Sequence, residues 1–585
     1  MEDAERRHAS LHYASALTER SSGVPWSRLA IGVAVLLAGL VYVNALDNPF
    51  VYDDRRLIVE NRSIRPPLDL QAVVLREVMR PAVNISYAID RVLWGPSPAG
   101  FHVTNVLLHM LNVGLLFELV RRGTGRVVSA FIAAALFAVH PMMTQAVGYI
   151  SGRAEVLCTT FVLMALAAAR RWMLGGRGVW LAATFGLWVL ALASKETGAV
   201  FAAVALLYDR LVLNGTPEDR KRRLLWLHGP LILLTTLAAA GRLAVLTMVE
   251  HPGQVQIDWS LGRLELDVLR RYVTMLILPG GQTIFHELAP VRGWLDPRVV
   301  MALAMLGLLS ASAWLMRRVE GIVTLGVCWF LLAFVPHAAL VILDRAEPMA
   351  EQRVYLASCG LFMAFGALAG RLEHRLRWNE RRLARIMFRA VVVLALAMFS
   401  MHTLLRNAVW GNPVTLWSEA VDRAPGSWAA QLGLGEALHD AGRHNEAIGA
   451  FTVALEARPQ EPAIYPKLGL CLMEVRDLKA AAAAFERVRE LSPRSPDGTN
   501  GLGALALLAG EPERARIHYE QSLLYDPWNV PARLGLAKVE ELQGNVEGAL
   551  RRCQEIRDLA PETPGNDECL SRNRARLGDR GSAPR

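Results

Sequence analysis

Residues 127–148 read VVSAFIAAALFAVHPMMTQAVG, a stretch with no charged side chain. A helix of about 20 apolar residues crosses the roughly 30 Å hydrocarbon core of a bilayer, so this block predicts a membrane span. Ten further blocks read the same way: 27–46, 101–120, 154–170, 178–194, 197–213, 224–247, 298–316, 320–343, 354–370 and 388–405. The hydrophobicity stops there. Over all 585 residues 53% are hydrophobic and 20% charged, with mean hydropathy +0.27. Those values exclude a single soluble enzyme and a disordered chain. Cys158, Cys328, Cys359, Cys471, Cys553 and Cys569 are too few and scattered for a disulfide framework, and none stands in a zinc-type spacing. The net charge of +9 comes from Arg residues that flank the apolar blocks, a pattern of membrane loops and not of a nucleic-acid surface. The fold class is all-α: a polytopic helical membrane domain of about eleven spans, then a soluble C-terminal part.

Orientation follows from where Lys and Arg collect. The short links 121–126, 170–177, 210–223, 317–318 and 371–389 hold 20 of them, while 149–155, 194–197, 344–353 and Arg406 hold five. Two longer loops on the second side, 47–100 and 248–297, add eleven. The bias puts segment 1–26 in the cytoplasm and, after eleven spans, the C-terminal part outside, in a periplasm or organelle lumen. The charged amphipathic segment 264–278 is predicted to lie at the interface and not to span.

The C-terminal part repeats. Pro425, Pro459, Pro493, Pro527 and Pro561 recur every 34 residues, and Leu434, Leu468, Leu502 and Leu536 keep phase with them. Gly435, Gly469 and Gly503 precede the aromatic positions Phe451, Phe485 and Tyr519 at a constant offset. This is the tetratricopeptide pattern of antiparallel helix pairs: a half-repeat near Trp417 and four repeats over 406–561, with a capping or tail segment over 562–585. Such an array commonly binds extended polypeptide on its concave face.

Polar groups at membrane depth are costly, so function is sought among them. Asp53 and Asp54 follow the first span; such a pair can act as a base, hold a metal or simply be solvated. His102, Asn105, His109 and Asn112 share one helical face, either as interhelical glue or, for His102, at a site. His140, Arg153, Lys195 and Glu196 lie in links between spans, where the cations bind an anionic headgroup, snorkel or pair with nearby acids. Glu351, Arg353 and Tyr355 belong to a short charged turn, and Arg80 adds another cation.

Tyr52-Asp53-Asp54, Arg80-Pro81, Phe101-His102 through His109, His140-Pro141, Ser194-Lys195-Glu196 and Glu351-Gln352-Arg353-Val354-Tyr355-Leu356 occur in this order ahead of the repeats. So arranged, the chain resembles the transmembrane and tetratricopeptide-repeat O-mannosyltransferases and their bacterial relatives, with departures at Gln145 and Ala357. The resemblance implies a C-type glycosyltransferase fold (GT-C) over 27–405. It also implies a polyprenyl-phosphate sugar as donor, with mannose as the hexose, and Ser/Thr hydroxyls of exported protein as acceptors. Asp53 would be the base and Asp54 its support. Arg353, then Lys195, Arg153 and Arg80, would bind the donor phosphate, while His102, Glu196, Glu351, Tyr355 and His140 line the site. No cofactor is expected and no ligand spacing demands a metal, although Asp53, Asp54 and Glu351 are of the right type for a divalent ion. Richness in Arg, Ala, Leu and Gly and compact loops suggest a bacterium, hence an inner membrane with periplasmic repeats, the alternative being an endoplasmic-reticulum membrane with lumenal ones. Two rival readings keep the same residues: a lipid or envelope glycan as acceptor, and a non-catalytic membrane-anchored scaffold.

Overall fold

A computed structural model describes residues 24–213, 215–250, 258–344, 347–378, 380–560, 563 and 565–581. Segment 1–23, Pro561 and the last four residues, on which some sequence expectations fall, lie outside the described residues. The chain divides into two compact units, 1–412 and 413–585, with no strand among the described residues.

In the first unit every apolar block is helical, but fewer than eleven pass as spans. Among the described residues eight helices are long and apolar enough to cross a membrane, or nine if a bent pair counts as one. That pair is Val127–Val139 and Pro141–Val147, joined with a bend of 55°. Pro141 carries no N–H and drives the preceding residue out of helical geometry, and His140 sits extended at φ −72°, ψ 128°. The two remaining blocks form Gly178–Leu192, of 15 residues, and Phe201–Leu211, of 11. Composition marked both as spans because it does not register where a turn interrupts the helix. Segment 264–278, all but its last residue, falls within a helix, Trp259–Ile277, that is not among the spanning ones.

Small residues bring the central helices together. A Cβ on Gly360 would lie 2.4 Å from the Gly326 carbonyl oxygen, and one on Gly326 would lie 2.4 Å from the Gly360 oxygen. The helices Gly321–Asp344 and Tyr355–Trp378 therefore touch backbone to backbone, as membrane helices do without a hydrophobic drive between them. Outward faces such as Val391, Leu394 and Met398 are exposed and apolar, as a lipid-facing surface requires.

The second unit is a stack of helix pairs: Trp428–Asp440 with His444–Ala457, Ile464–Glu474 with Leu478–Leu491, Pro496–Leu508 with Pro512–Tyr525, and Val530–Leu542 with Val546–Leu559. Helix Pro413–Arg423 precedes them and Asn566–Gly581 follows. The periodic glycines face the periodic aromatics. Phe485 meets Gly469 of its own repeat and Gly501 of the next, and Tyr519 meets Gly503 and Gly535 likewise. In the last repeat Cys553 takes the aromatic position and forms a disulfide with Cys569 of the final helix.

Candidate functional site

The turn after the first span sets two neighbouring carboxylates in different surroundings. Tyr52 stands at φ 52°, a left-handed conformation that a tyrosine rarely adopts, and reverses the chain just before them. Asp54 is fully buried. Its Oδ2 accepts from the Val51 N–H at 3.1 Å, and its Oδ1 accepts from the Ser151 N–H at 2.8 Å and from the Ser151 hydroxyl at 2.5 Å. Burial pushes the Asp54 carboxyl up to about 7, against the pull of those hydrogen bonds. Asp53 keeps a partly exposed side chain, and its backbone N–H donates to the Tyr149 hydroxyl at 3.1 Å.

Asp53 lines a cleft of ≈130 Å³ together with Arg80, Tyr87, Tyr149, Ser151, Glu155, Lys195 and Gln352. The Lys195 ammonium pairs with Glu155 at 2.7 Å, and both are nearly inaccessible to solvent. Arg80 pairs more loosely with Glu196, at 3.5 Å, and stays half-exposed. Burial would raise Glu196, but the Lys195 and Arg80 charges outweigh it and hold its carboxyl below the usual range. The Gln352 Oε1 is buried with no hydrogen-bond partner among the described residues. Glu347, next along the same turn, is raised by burial; Arg353 opposes that and the Asp53 carboxylate adds to it. Arg353 bonds to the Glu347 carbonyl and touches His337 Nε2 at 2.8 Å. The cleft thus mixes two partly exposed carboxylates, Asp53 and Glu77, with Lys195 and Arg80, which acids already partner, and with the exposed Arg56. That arrangement can take a proton and neutralise an anion within one small space.

A larger hollow of ≈570 Å³ lies against residues 292–298. Two of its charged groups, Asp296 and Arg298, pair with each other at 2.8 Å, Arg292 is the third, and none of the residues singled out from the sequence borders it.

The other candidates serve the protein's own packing. Arg153 is wholly buried: it pairs with Asp90 at 2.5 Å, donates to Asn105 Oδ1 and to the Phe101 carbonyl at 2.7 Å each, and lies over the Tyr87 ring. His102 Nε2 donates to the Asn48 carbonyl at 3.1 Å, and His140 Nε2 to the Leu276 carbonyl at 3.0 Å. Glu351 accepts from the Thr283 N–H at 2.7 Å and from His286 at 3.0 Å. Tyr355 sits inside the helix bundle; its hydroxyl donates to His109 Nδ1 at 2.7 Å and accepts from Asn112 at 3.2 Å. None of these five borders the cleft. Sequence reasoning did not single out Tyr149 or Ser151, which shape it together with Gln352 of the Glu351–Leu356 run. The one available signal was the run Gly148-Tyr149-Ile150-Ser151-Gly152, in which a Cβ at Gly152 would lie 2.5 Å from the Gln145 carbonyl.

Comparison with known proteins reaches both units. Residues 91–240 match the family described as dolichyl-phosphate-mannose-protein mannosyltransferase, a segment that includes Lys195 but not Asp53. Residues 414–462, 467–529 and 506–565 match tetratricopeptide repeat families. Human protein O-mannosyl-transferase TMTC1 is 26% identical over 77% of this chain and 58% of its own length. Mouse protein O-mannosyl-transferase TMTC3 is 23% identical over 82% of this chain and 56% of its own. Protein O-mannosyl-transferase Tmtc2 of Drosophila melanogaster is 33% identical, over 32% of this chain and 22% of its own. Among solved structures, a tetratricopeptide protein of Thermus thermophilus aligns at 17% identity with 31% of this chain and 95% of its own, with a TM-score of 0.26. The chain spans a little over half the length of the first two relatives. A segment similar to a mannosyltransferase family is thus followed by tetratricopeptide repeats, and along most of its length the chain is similar to proteins named protein O-mannosyl-transferases.

Proposed function

We propose that this protein transfers a hexose, mannose by its relatives' names, from a polyprenyl-phosphate carrier to Ser/Thr hydroxyls of polypeptides at the outer face of a membrane. The observation that carries this reading is the cleft that the partly exposed Asp53 lines together with Lys195 and Arg80. A serine or threonine hydroxyl is a weak nucleophile near neutral pH and needs a carboxylate within reach to accept its proton. In a single displacement the acceptor oxygen bonds to the anomeric carbon while its proton passes to Asp53. The bond from that carbon to the phosphate oxygen breaks, the electron pair leaves on the lipid phosphate, and the anomeric configuration inverts. The charge that develops on the phosphate falls to Lys195 and Arg80, with Arg353 beyond them. The repeats offer a surface for the polypeptide acceptor.

Asp54 is given a supporting part, because both of its oxygens already hold the Val51 and Ser151 backbone. Arg153 is left out of donor binding, since its guanidinium is taken up by Asp90, Asn105 and Phe101.

The test uses protein reconstituted in lipid with radiolabelled polyprenyl-phosphate mannose and unfolded exported polypeptides, wild type beside Asp53→Asn. Label on polypeptide, reduced at least ~100-fold in the variant, is the expected result for a lost general base. Label retained by the variant removes Asp53 from that role. Label found in lipid and not in polypeptide moves the acceptor to a lipid or glycan.

A further inference from the structure

The repeat register shows which side chains the solenoid itself requires, and at one junction three positions depart from it together. His439 ends helix Trp428–Asp440, His444 opens helix His444–Ala457, and Cys471 lies in helix Ile464–Glu474 of the following repeat. One, two and three periods later His439 corresponds to Met473, Leu507 and Glu541, and His444 to Leu478, Pro512 and Val546. Cys471 corresponds to Ala437, Leu505 and Val539. Elsewhere the solenoid fills these places mostly with apolar residues, so packing does not explain two imidazoles and a thiol here.

The three side chains converge. Gly442, at φ 74°, turns the chain between the two helices and brings both histidines to one corner, with ring centroids 5.1 Å apart. Cys471 Sγ lies 3.2 Å from His439 Nδ1, and one donor atom from each of the three residues falls within 4.8 Å of the others. Zinc bonds of ~2.3 Å to sulfur and ~2.0 Å to nitrogen put tetrahedral ligand atoms about 3.5 Å apart, so a small side-chain adjustment closes the set. The His444 Nδ1 is buried and has no hydrogen-bond partner among the described residues. Cys471 is fully buried while the histidines are partly open, which leaves a way in for an ion. Asp440 and Glu474 direct negative charge at both His439 and Cys471, with Lys467 opposing them.

We propose that His439, His444 and Cys471 bind a divalent ion of the zinc class, which cross-links the first two tetratricopeptide repeats. Coordination replaces the thiol proton with the metal and releases that proton to solvent. The fourth position falls to water or to a neighbouring carboxylate. This inference is independent of the transfer reaction.

The experiment uses tag-free full-length protein in detergent micelles, stripped with chelator and titrated with Co²⁺. The expected result is one ion per chain, with visible bands of tetrahedral cobalt and a near-ultraviolet thiolate-to-cobalt band, all displaced by Zn²⁺. Cys471→Ser loses the charge-transfer band, and His444→Gln, at a partly open position, weakens binding at least tenfold while its circular dichroism is unchanged. Absence of the charge-transfer band at saturating Co²⁺ in wild type overturns the proposal and leaves a thiol–imidazole hydrogen bond in its place. Equal metal uptake by wild type and a folded His444→Gln overturns it as well.

Discussion

Burial separates Asp53 from Asp54, and their titration should separate with it. Asp54 has a folded-state value of about 7, well above the ~3.9 of an unfolded aspartate. The folded protein therefore binds this proton more tightly, and its stabilising effect is complete below pH ~3.9 and lost as pH rises towards 7. Three units correspond to about 4 kcal/mol as an upper bound. Thermal unfolding in lipid nanodiscs should show Tm falling between pH 5 and 7.5, and falling less in Asp54→Asn. That variant should also be less stable at pH 5 by ~1–3 kcal/mol, because its amide presents a donor to the Val51 or Ser151 N–H. A wild-type Tm that rises over this range contradicts the assignment. Lys195 poses a different problem, since Glu155 has no other ion-pair partner among the described residues. Lys195→Met should cost ~3–5 kcal/mol by leaving a buried charge unpaired. Lys195→Met with Glu155→Gln should restore Tm but not donor binding, and full recovery of binding would remove Lys195 from the phosphate site. Much of the cleft was legible as polar residues where apolar blocks end: Asp53, Arg80 and Lys195 were read that way. What could not be read is which cation is already taken. Arg153 and Lys195 look alike in sequence, and only the fold gives Asp90 to the first and Glu155 to the second, leaving only the second of them on the cleft.

Helix length decides what kind of membrane domain this is. Gly178–Leu192 has 15 residues. At 1.5 Å each such a helix is about 22 Å long, short of a ~30 Å hydrocarbon core. Val127–Val139 is shorter still, with 13 residues before the break at His140. With the ends at Arg126 and Arg177 on the same membrane surface, as the charge bias suggests, both helices stop inside the far leaflet. The Lys195–Glu155 pair then lies below the level of the headgroups, where a lipid-linked phosphate could meet it without leaving the bilayer. Composition revealed the apolar blocks but not where the helices stop inside them, because the residues beside each break, such as Met142 and Met143 or Ala193 and Ser194, are nearly as apolar as the helix itself. The close helix crossing offers a direct check. Gly360→Ala would place its methyl 2.4 Å from a backbone oxygen of Gly326 and 2.9 Å from the Phe330 nitrogen. Overpacking of this kind should cost ~1–3 kcal/mol, measured by thermal unfolding in detergent. Gly32→Ala, with nothing within 4 Å of the added carbon, should change Tm little or raise it. Equal Tm values for the two variants would mean that the helices do not meet as described.

At the scale of the whole molecule, the repeats were the most legible part, since five prolines at one period leave little choice of architecture. The Cys553–Cys569 disulfide was not legible. Its two residues belong to no motif, and their pairing is visible only once they are seen to replace an aromatic and a glycine of the repeat. That bond bears on topology, because structural disulfides persist in oxidising compartments and seldom in a cytosol. It favours repeats outside the membrane, the side expected from eleven spans. The shortfall in span number leaves that side unchanged when the bent pair counts as one crossing. The two short helices are consecutive, so removing both takes eleven to nine and keeps the two termini on opposite sides. The prediction is that Leu524→Cys, at a position 82% exposed, reacts with a membrane-impermeant maleimide in intact cells or right-side-out vesicles. In the same experiment Cys553 and Cys569 should become reactive only after reduction. Labelling of the introduced cysteine only after lysis would put the repeats in the cytoplasm, change the parity of the spans, and part the repeats from any acceptor on the outer side.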